Sequence, residues 1–324
     1  MAAIGFFAAK FWYNSFPNSF EVEEDSKIEN KISQIEEKLS QIDDKIEKKT
    51  ISLENIIKTQ KVEENVELQN NEKKLFLQDC ATSPTIKNYT WIEFKEKVLK
   101  NNEIYNTIKA DPEKFDDQGW GGIHPFIGEL IEEVAKDTND NEIRIIEVGS
   151  WKGLSSRAAG VACKSFTAKT KKNCHILSID TWLASSEHYE ASLPEMKSNF
   201  YINDLFNTFL NNIKVKGLDD IVYPLRLPSS AAIHVLHCFK IDAHIIFIDA
   251  DHDYKPILRD IETFYPLLKK NGIIYGDDNV DSWPGVIKAV HQYKDYKGDK
   301  IKFWQKGNYW LFKKLQEEPK FFGE

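Results

Sequence analysis

The chain has 324 residues, 41% of them apolar and 12% aromatic, which allows about two domains and a sizeable core in at least one. Lys and Arg number 43 against 51 Asp and Glu, a net charge of −8 that argues against a basic nucleic-acid binder, because phosphate contacts need clustered cations. No apolar run reaches the roughly 18 residues of a conventional transmembrane helix. The four cysteines, Cys80, Cys163, Cys174 and Cys238, lack C-x-x-C spacing and are too sparse for a disulfide scaffold, so the expectation is reduced thiols, a cytoplasmic chain and no zinc site.

Residues 1–20 crowd Phe6, Phe7, Phe11, Trp12, Tyr13, Phe16 and Phe20 around Lys10 and Pro17. They carry neither the basic start nor the small-residue cleavage site of a secretory signal. This segment can dock on a partner or larger assembly, lie at a membrane surface, or pack under the stretch C-terminal to it. From 21 to 79 the chain holds 16 acidic and 10 basic side chains and no Pro or Gly. Ile28, Ile32, Ile35, Leu39, Ile42 and Ile46 follow spacings of 4, 3, 4, 3 and 4. That is a heptad seam with Ile32, Leu39 and Ile46 at a and Ile28, Ile35 and Ile42 at d, and it predicts a coiled coil over 21–75, the alternative being a single amphipathic helix packed on the domain that follows. Ile at d with Ile or Leu at a favours three or four strands, so a homotrimer is expected.

Residues 76–118 read as a helical linker or cap, with one amphipathic helix over Thr90–Ala110 and a Pro- and Gly-punctuated loop over Asp111–Gly122. From 119 to 324 short β-rich runs alternate with helical patterns. The runs are Ile143–Val148, His175–Ile179, Ile221–Arg226, His244–Ile248 and Gly272–Tyr275; the helices fall near Leu154–Lys164, Asn199–Ile213, Ser229–Phe239, Tyr254–Leu268 and Pro284–Tyr296. This alternation predicts an α/β fold, a mostly parallel sheet covered on both faces. Lys300–Gln305 and Tyr309–Lys313 around Lys306-Gly307-Asn308 predict a closing antiparallel hairpin.

In such a sheet ligands sit outside the C-terminal ends of the strands, and the candidate residues fall there. The first strand runs into Glu147, Gly149 and Gly153, where glycines let a ligand approach a helix N-terminus. The spacing is not that of a dinucleotide site or a P-loop, which argues against NAD and ATP. Asp180 ends the second strand, where an acid can accept from a ribose diol or cap the next element. Asp249 and Asp277-Asp278 leave the tips of two neighbouring strands. Gathering three carboxylates costs repulsion and desolvation unless a hard divalent ion such as Mg²⁺ removes it; otherwise these residues cap helices and make turns. His234 and His237 read as packing residues. His124 can cap a helix or face the site, and Leu183–Asn203 can be a lid or a structural excursion.

With these residues the chain resembles the class I S-adenosylmethionine-dependent methyltransferases over roughly 119–315, about three-fifths of its length. IDTWL (179–183), FIDADHDY (247–254), LLKKNGIIYGDDN (267–279) and WPGVIKAV (283–290) most resemble the metal-dependent sugar O-methyltransferases related to the macrocin and aminocoumarin enzymes. The metal arrangement is also similar to that of catechol and caffeoyl-CoA O-methyltransferases. The resemblance implies a Rossmann-like methyltransferase fold with a seven-stranded sheet. It implies that Gly149 and Gly153 admit the methionine part of S-adenosyl-L-methionine, that Glu147 supports that loop, that Asp180 holds the ribose and that Ser229 lies near the adenosine. Asp249, Asp277 and Asp278 would bind Mg²⁺. The general base would be Asp251, as in the sugar enzymes, or His252, which stands where the catechol type has a lysine. The function so implied is O-methylation of a saccharide or similar polyol. Two competing readings are a phenolic acceptor, and an oligomeric attachment protein whose methyltransferase-like domain binds glycan without turnover.

Overall fold

The structure, a computed structural model, describes residues 31–52 (except 32 and 44), 88–116, 119, 126–185 and 205–319. The aromatic segment 1–20, the outer parts of the expected coiled coil, His124 and most of the 183–203 excursion lie outside these residues. Contacts divide the chain into a unit over Met1–Val66 and another over Glu67–Glu324.

In the first unit the described residues of 31–52 are helical (α1). Ile35, Leu39, Ile42 and Ile46 are each between 50% and 57% exposed. The 3.5-residue repeat therefore forms a helix with an exposed apolar stripe; the described residues contain no second strand of a coil.

The second unit holds a seven-stranded sheet in the order β3-β2-β1-β4-β5-β7-β6. Its strands are β1 (Glu142–Val148), β2 (Asn173–Asp180), β3 (Val222–Arg226), β4 (Ala243–Ile248), β5 (Leu268–Gly276), β6 (Ile301–Lys306) and β7 (Tyr309–Lys314). The first five run parallel, and β7 pairs antiparallel with both β5 and β6. Gly307, at φ +62°, turns the hairpin, as its position between the two aromatic runs predicts.

Side-chain alternation along the strands divides the core. Ile143, Ile145, Ile176, Ile245, Phe247 and Ile273 face α3 (Ile127–Lys136), α4 (Leu154–Thr170) and α5 (Leu205–Val215). Ile146, Val148, Leu177, Ile246, Ile248 and Ile274 face α6 (Ser229–Phe239), α7 (Tyr254–Phe264) and α8 (Pro284–Lys297). Both faces are thus dry, which is why the β runs read as nearly continuous apolar stretches.

Two expectations are corrected. The single helix over 90–110 is broken: α2 covers only Trp91–Lys97, and a 3₁₀ segment follows over Lys100–Thr107 with Asn101 and Asn102 left-handed at φ 48° and 63°. Asparagine tolerates that region, and the bend lets the Asn102 amide donate to the carbonyls of Asp219 and Val222. Tertiary hydrogen bonds override the helical periodicity there. Trp91, Phe94 and Tyr105 are buried in the same two core layers as the sheet. The reduced-thiol expectation also fails. Cys163 on α4 and Cys174 on β2 form a disulfide with a Cα–Cα distance of 5.2 Å, and Cys238 is likewise disulfide-bonded. The chain reverses tightly between α4 and β2, so two cysteines eleven residues apart meet across the helix–sheet contact.

His237 is buried on α6, its Nε2 3.2 Å from the Thr263 carbonyl, the packing role its spacing suggests. Burial lowers its pKa to about 3. In the unfolded chain it titrates near 6.5, so between those values the unfolded state binds more protons. Its contribution is therefore intact above pH 6.5 and lost as the pH falls. His237→Gln keeps a donor toward Thr263. Between pH 7 and pH 4, its urea-unfolding free energy is expected to gain about 3 kcal/mol relative to the parent. Parallel pH profiles for the two proteins would refute a buried neutral ring.

Candidate active site

The chain steps outward from β1 to β3 and then returns to β4, so the sheet's switch point lies between β1 and β4, where a crevice opens at the strand ends. Gly149 follows β1 at φ +88°. A Cβ there would lie 1.8 Å from the Asp249 carbonyl oxygen and 2.9 Å from Ala250 Cα. The glycine is thus required by the protein itself: it lets the first loop press against the segment carrying Asp249, whose N–H donates to Val148 O at 2.8 Å. Gly153, at φ +84°, abuts Phe209 of α5, 3.0 Å from where a Cβ would sit.

Glu147 is buried beneath this loop and accepts from the hydroxyls of Ser150 (3.0 Å), Ser178 (2.8 Å) and Ser156. Burial raises its pKa, and the serine hydrogen bonds oppose the rise. Ser178 is Glu147's register partner on β2, and Ser156 reaches it from the first turn of α4, so one carboxylate ties two strands and a helix to the loop. Asp180 closes the loop from the other side. Its Oδ2 accepts from the N–H groups of Ser150 (2.8 Å) and Trp151 (2.9 Å), and its Oδ1 from that of Trp182 (2.7 Å). Asp180 therefore shapes the strand-end cradle while sitting at its lip. Lys152, buried between the two glycines, binds Asp116 at 2.7 Å.

Ser229 begins α6, and its hydroxyl donates to Asp260 Oδ1 at 2.9 Å and accepts from Arg259 at 3.2 Å. It anchors α6 to α7 at the edge of the crevice.

Beyond the switch point the carboxylates separate into two groups. His252 Nε2 lies 2.8 Å from Asp278 Oδ2 and 3.7 Å from Asp249 Oδ1. One ligand atom from each of these three residues lies within 4.8 Å of the others, a cluster able to hold a metal ion. Asp277 is not part of that cluster. It accepts from the N–H of Asp278 at 2.8 Å and from the Tyr309 hydroxyl. Its pKa is pushed up to about 6, first by burial and then by the charges of Asp249 and Asp278. Of the three carboxylates expected from the sequence, Asp249 and Asp278 thus gather with an imidazole, and Asp277 lies beside them within reach of their charges. The reason is backbone: Asp278 is left-handed at φ 62°, so consecutive side chains leave the strand end in different directions. Burial raises the Asp249 pKa and Asp278 adds to it, while His252 pulls it down. Asp251 is exposed on the same loop, and its Oδ1 accepts from Asp253 N–H at 2.9 Å just ahead of α7.

Sequence reasoning missed Ser150, Ser156, Ser178 and Tyr309. The loop and the first turn of α4 bring Ser150 and Ser156 to Glu147, strand register brings Ser178, and the return of the hairpin brings Tyr309 to Asp277.

A divalent cation fits this centre. Two carboxylates drawn together at a strand-end crevice repel each other, and the donors present are those that hold such an ion.

Residues 146–279 match the family model described as "Methyltransferase domain". An uncharacterized protein of Acanthamoeba polyphaga mimivirus is 24% identical over 165 residues, 50% of this chain and 64% of its own length; the chain thus spans less than two-thirds of that relative. Among solved structures, the O-methyltransferase NovP is similar with 15% identity and a TM-score of 0.45, covering 67% of this chain and 98% of its own. An O-methyltransferase from Bacillus cereus in complex with SAH has 15% identity and a TM-score of 0.41, covering 76% and 100%. CalS11, a TDP-rhamnose 3'-O-methyltransferase of calicheamicin biosynthesis, has 13% identity and a TM-score of 0.39, covering 78% and 93%. The matched segment runs from β1 to just past the end of β5 and carries the crevice between Glu147 and Asn279; over it, the chain is similar to a methyltransferase domain.

Proposed function

We propose that the chain transfers a methyl group from S-adenosyl-L-methionine to a hydroxyl of a saccharide or similar polyol, with a divalent cation at Asp249, His252 and Asp278. The observation that carries this reading is their convergence one strand away from the glycine loop. Donor and acceptor sites would then share one crevice. The saccharide follows from the sequence resemblance at 179–183, 247–254, 267–279 and 283–290.

The residues divide the work. Gly149, Gly153 and Asp180 shape the cradle for the methyl donor, Glu147 keeps the loop rigid from below, and Ser229 flanks the adenosine end. When bound, the cation supplies Lewis acidity that lowers the pKa of an acceptor hydroxyl. Asp251, exposed two residues beyond Asp249, takes the proton. Because the donor's methyl is already activated, positioning and deprotonation are the protein's main contribution.

Thermal unfolding with S-adenosylhomocysteine tests the cradle. Ligand at about 100-fold above Kd contributes about 2.7 kcal/mol, a rise of roughly 5–10 °C for a domain of this size. No rise at millimolar ligand would move the non-catalytic glycan-binding reading ahead.

Oligomerisation through α1 belongs to the same proposal and is supported by the half-exposed Ile35, Leu39, Ile42 and Ile46 on a heptad spacing. Multi-angle light scattering is expected to give a trimer for the parent chain and a monomer for the Ile35→Asp/Ile42→Asp variant. An unchanged mass in that variant would remove the coiled coil.

A further inference from the structure

The centre joins an imidazole to two carboxylates, where the resemblance implies three carboxylates. His252 Nε2 is directed at the two carboxylates, 2.8 Å from Asp278 and 3.7 Å from Asp249. Ligands about 2.0–2.1 Å from an octahedral ion lie about 3 Å apart when adjacent and about 4 Å apart when opposite. The 2.8 Å separation is close to that of adjacent ligands, and the 3.7 Å separation lies between the two values.

The ring is also braced. It stacks on Trp283 at a centroid distance of 4.4 Å and an interplanar angle of 30°. Trp283 is itself placed by the start of α8 against the 252–254 backbone. A Cβ on Gly285 would lie 2.6 Å from His252 O and 2.7 Å from Tyr254 N, so only glycine allows that approach. Side chains that fix a metal-binding imidazole in this way act on the affinity of the site from outside it.

Magnesium takes oxygen ligands and releases water reluctantly, whereas imidazole nitrogen suits transition ions. We infer that His252 is a metal ligand and that Asp249, His252 and Asp278 form a mixed oxygen–nitrogen centre selecting a divalent transition ion such as Mn²⁺ over Mg²⁺, with Trp283 as its positioning residue. This rests on the reading that a cation binds here. It leaves proton removal to Asp251, since a nitrogen bound to the cation has no lone pair left to accept a proton.

The test uses the full-length chain and Mn²⁺ alone, without donor or acceptor. Titration followed by electron paramagnetic resonance should show saturable loss of the free-ion signal, and Mg²⁺ should compete at least about tenfold more weakly. Pulsed spectra of the bound ion should carry hyperfine coupling from a directly bound nitrogen. His252→Gln should abolish that coupling and the preference for Mn²⁺. Trp283→Leu should retain the coupling with about tenfold weaker binding. The parent spectrum decides even if a variant fails to fold. Saturable Mn²⁺ binding without nitrogen coupling overturns the inference and leaves an all-oxygen centre. No saturable binding overturns the inference together with the cation reading beneath it.

Discussion

Asp278→Ala is expected to lower methyl transfer on the order of a thousandfold, while Asp277→Asn keeps activity within about tenfold of the parent. The two residues are adjacent in sequence and are equivalent candidates on that basis. In the structure Asp278 faces Asp249 and His252, whereas Asp277 is held by Tyr309 and by the N–H of Asp278. Removing Asp278 takes one of two carboxylates from the cation and leaves Asp249 without a shared counterion. Asn at 277 keeps an oxygen acceptor for the N–H of Asp278 and loses only a charge that burial already disfavours. The check is initial-rate measurement with labelled S-adenosylmethionine and a panel of sugar acceptors. Equal losses in both variants would restore Asp277 as a ligand.

Gly149→Ala should destabilise the fold by more than about 4 kcal/mol. A left-handed non-glycine residue alone costs about 1–2 kcal/mol. Here the added Cβ would also sit 1.8 Å from the Asp249 carbonyl oxygen, a backbone atom fixed by β1–β4 pairing. Relief requires separating the two strand ends, which would widen the crevice and displace Asp249. Gly217 offers the internal control, because it is left-handed at φ +58° and only the end of the Lys164 side chain, at 3.7 Å, lies near where a Cβ would sit; Gly217→Ala should cost only about 1–2 kcal/mol. Urea unfolding of both variants measures the difference. Similar losses would show that conformation, and not the close approach to Asp249, is what glycine supplies at 149.

The disulfide between Cys163 and Cys174 shows how sequence separation misleads. Counting and spacing alone argue for free thiols, because no local motif joins these residues. The helix–strand reversal puts their Cα atoms 5.2 Å apart on packed elements, a distance set by topology and not by sequence.

What the sequence determined by itself was periodic or positional. The parallel strands were legible because both faces of the sheet are dry, which turns them into short apolar runs. The hairpin was legible from Gly307 between aromatic alternations, and the heptad stripe from its spacing. The candidate acids were legible because ligand sites in such sheets lie at strand ends, which singles out Glu147, Asp180, Asp249, Asp277 and Asp278 by position alone. Tertiary structure alone decided how those acids divide. It turned Asp180 toward the loop's N–H groups, surrounded Glu147 with serines from three elements, swung Asp277 to Tyr309 and placed His252 between two carboxylates. Each outcome depends on strand register or on one residue's φ angle, and a linear pattern carries neither.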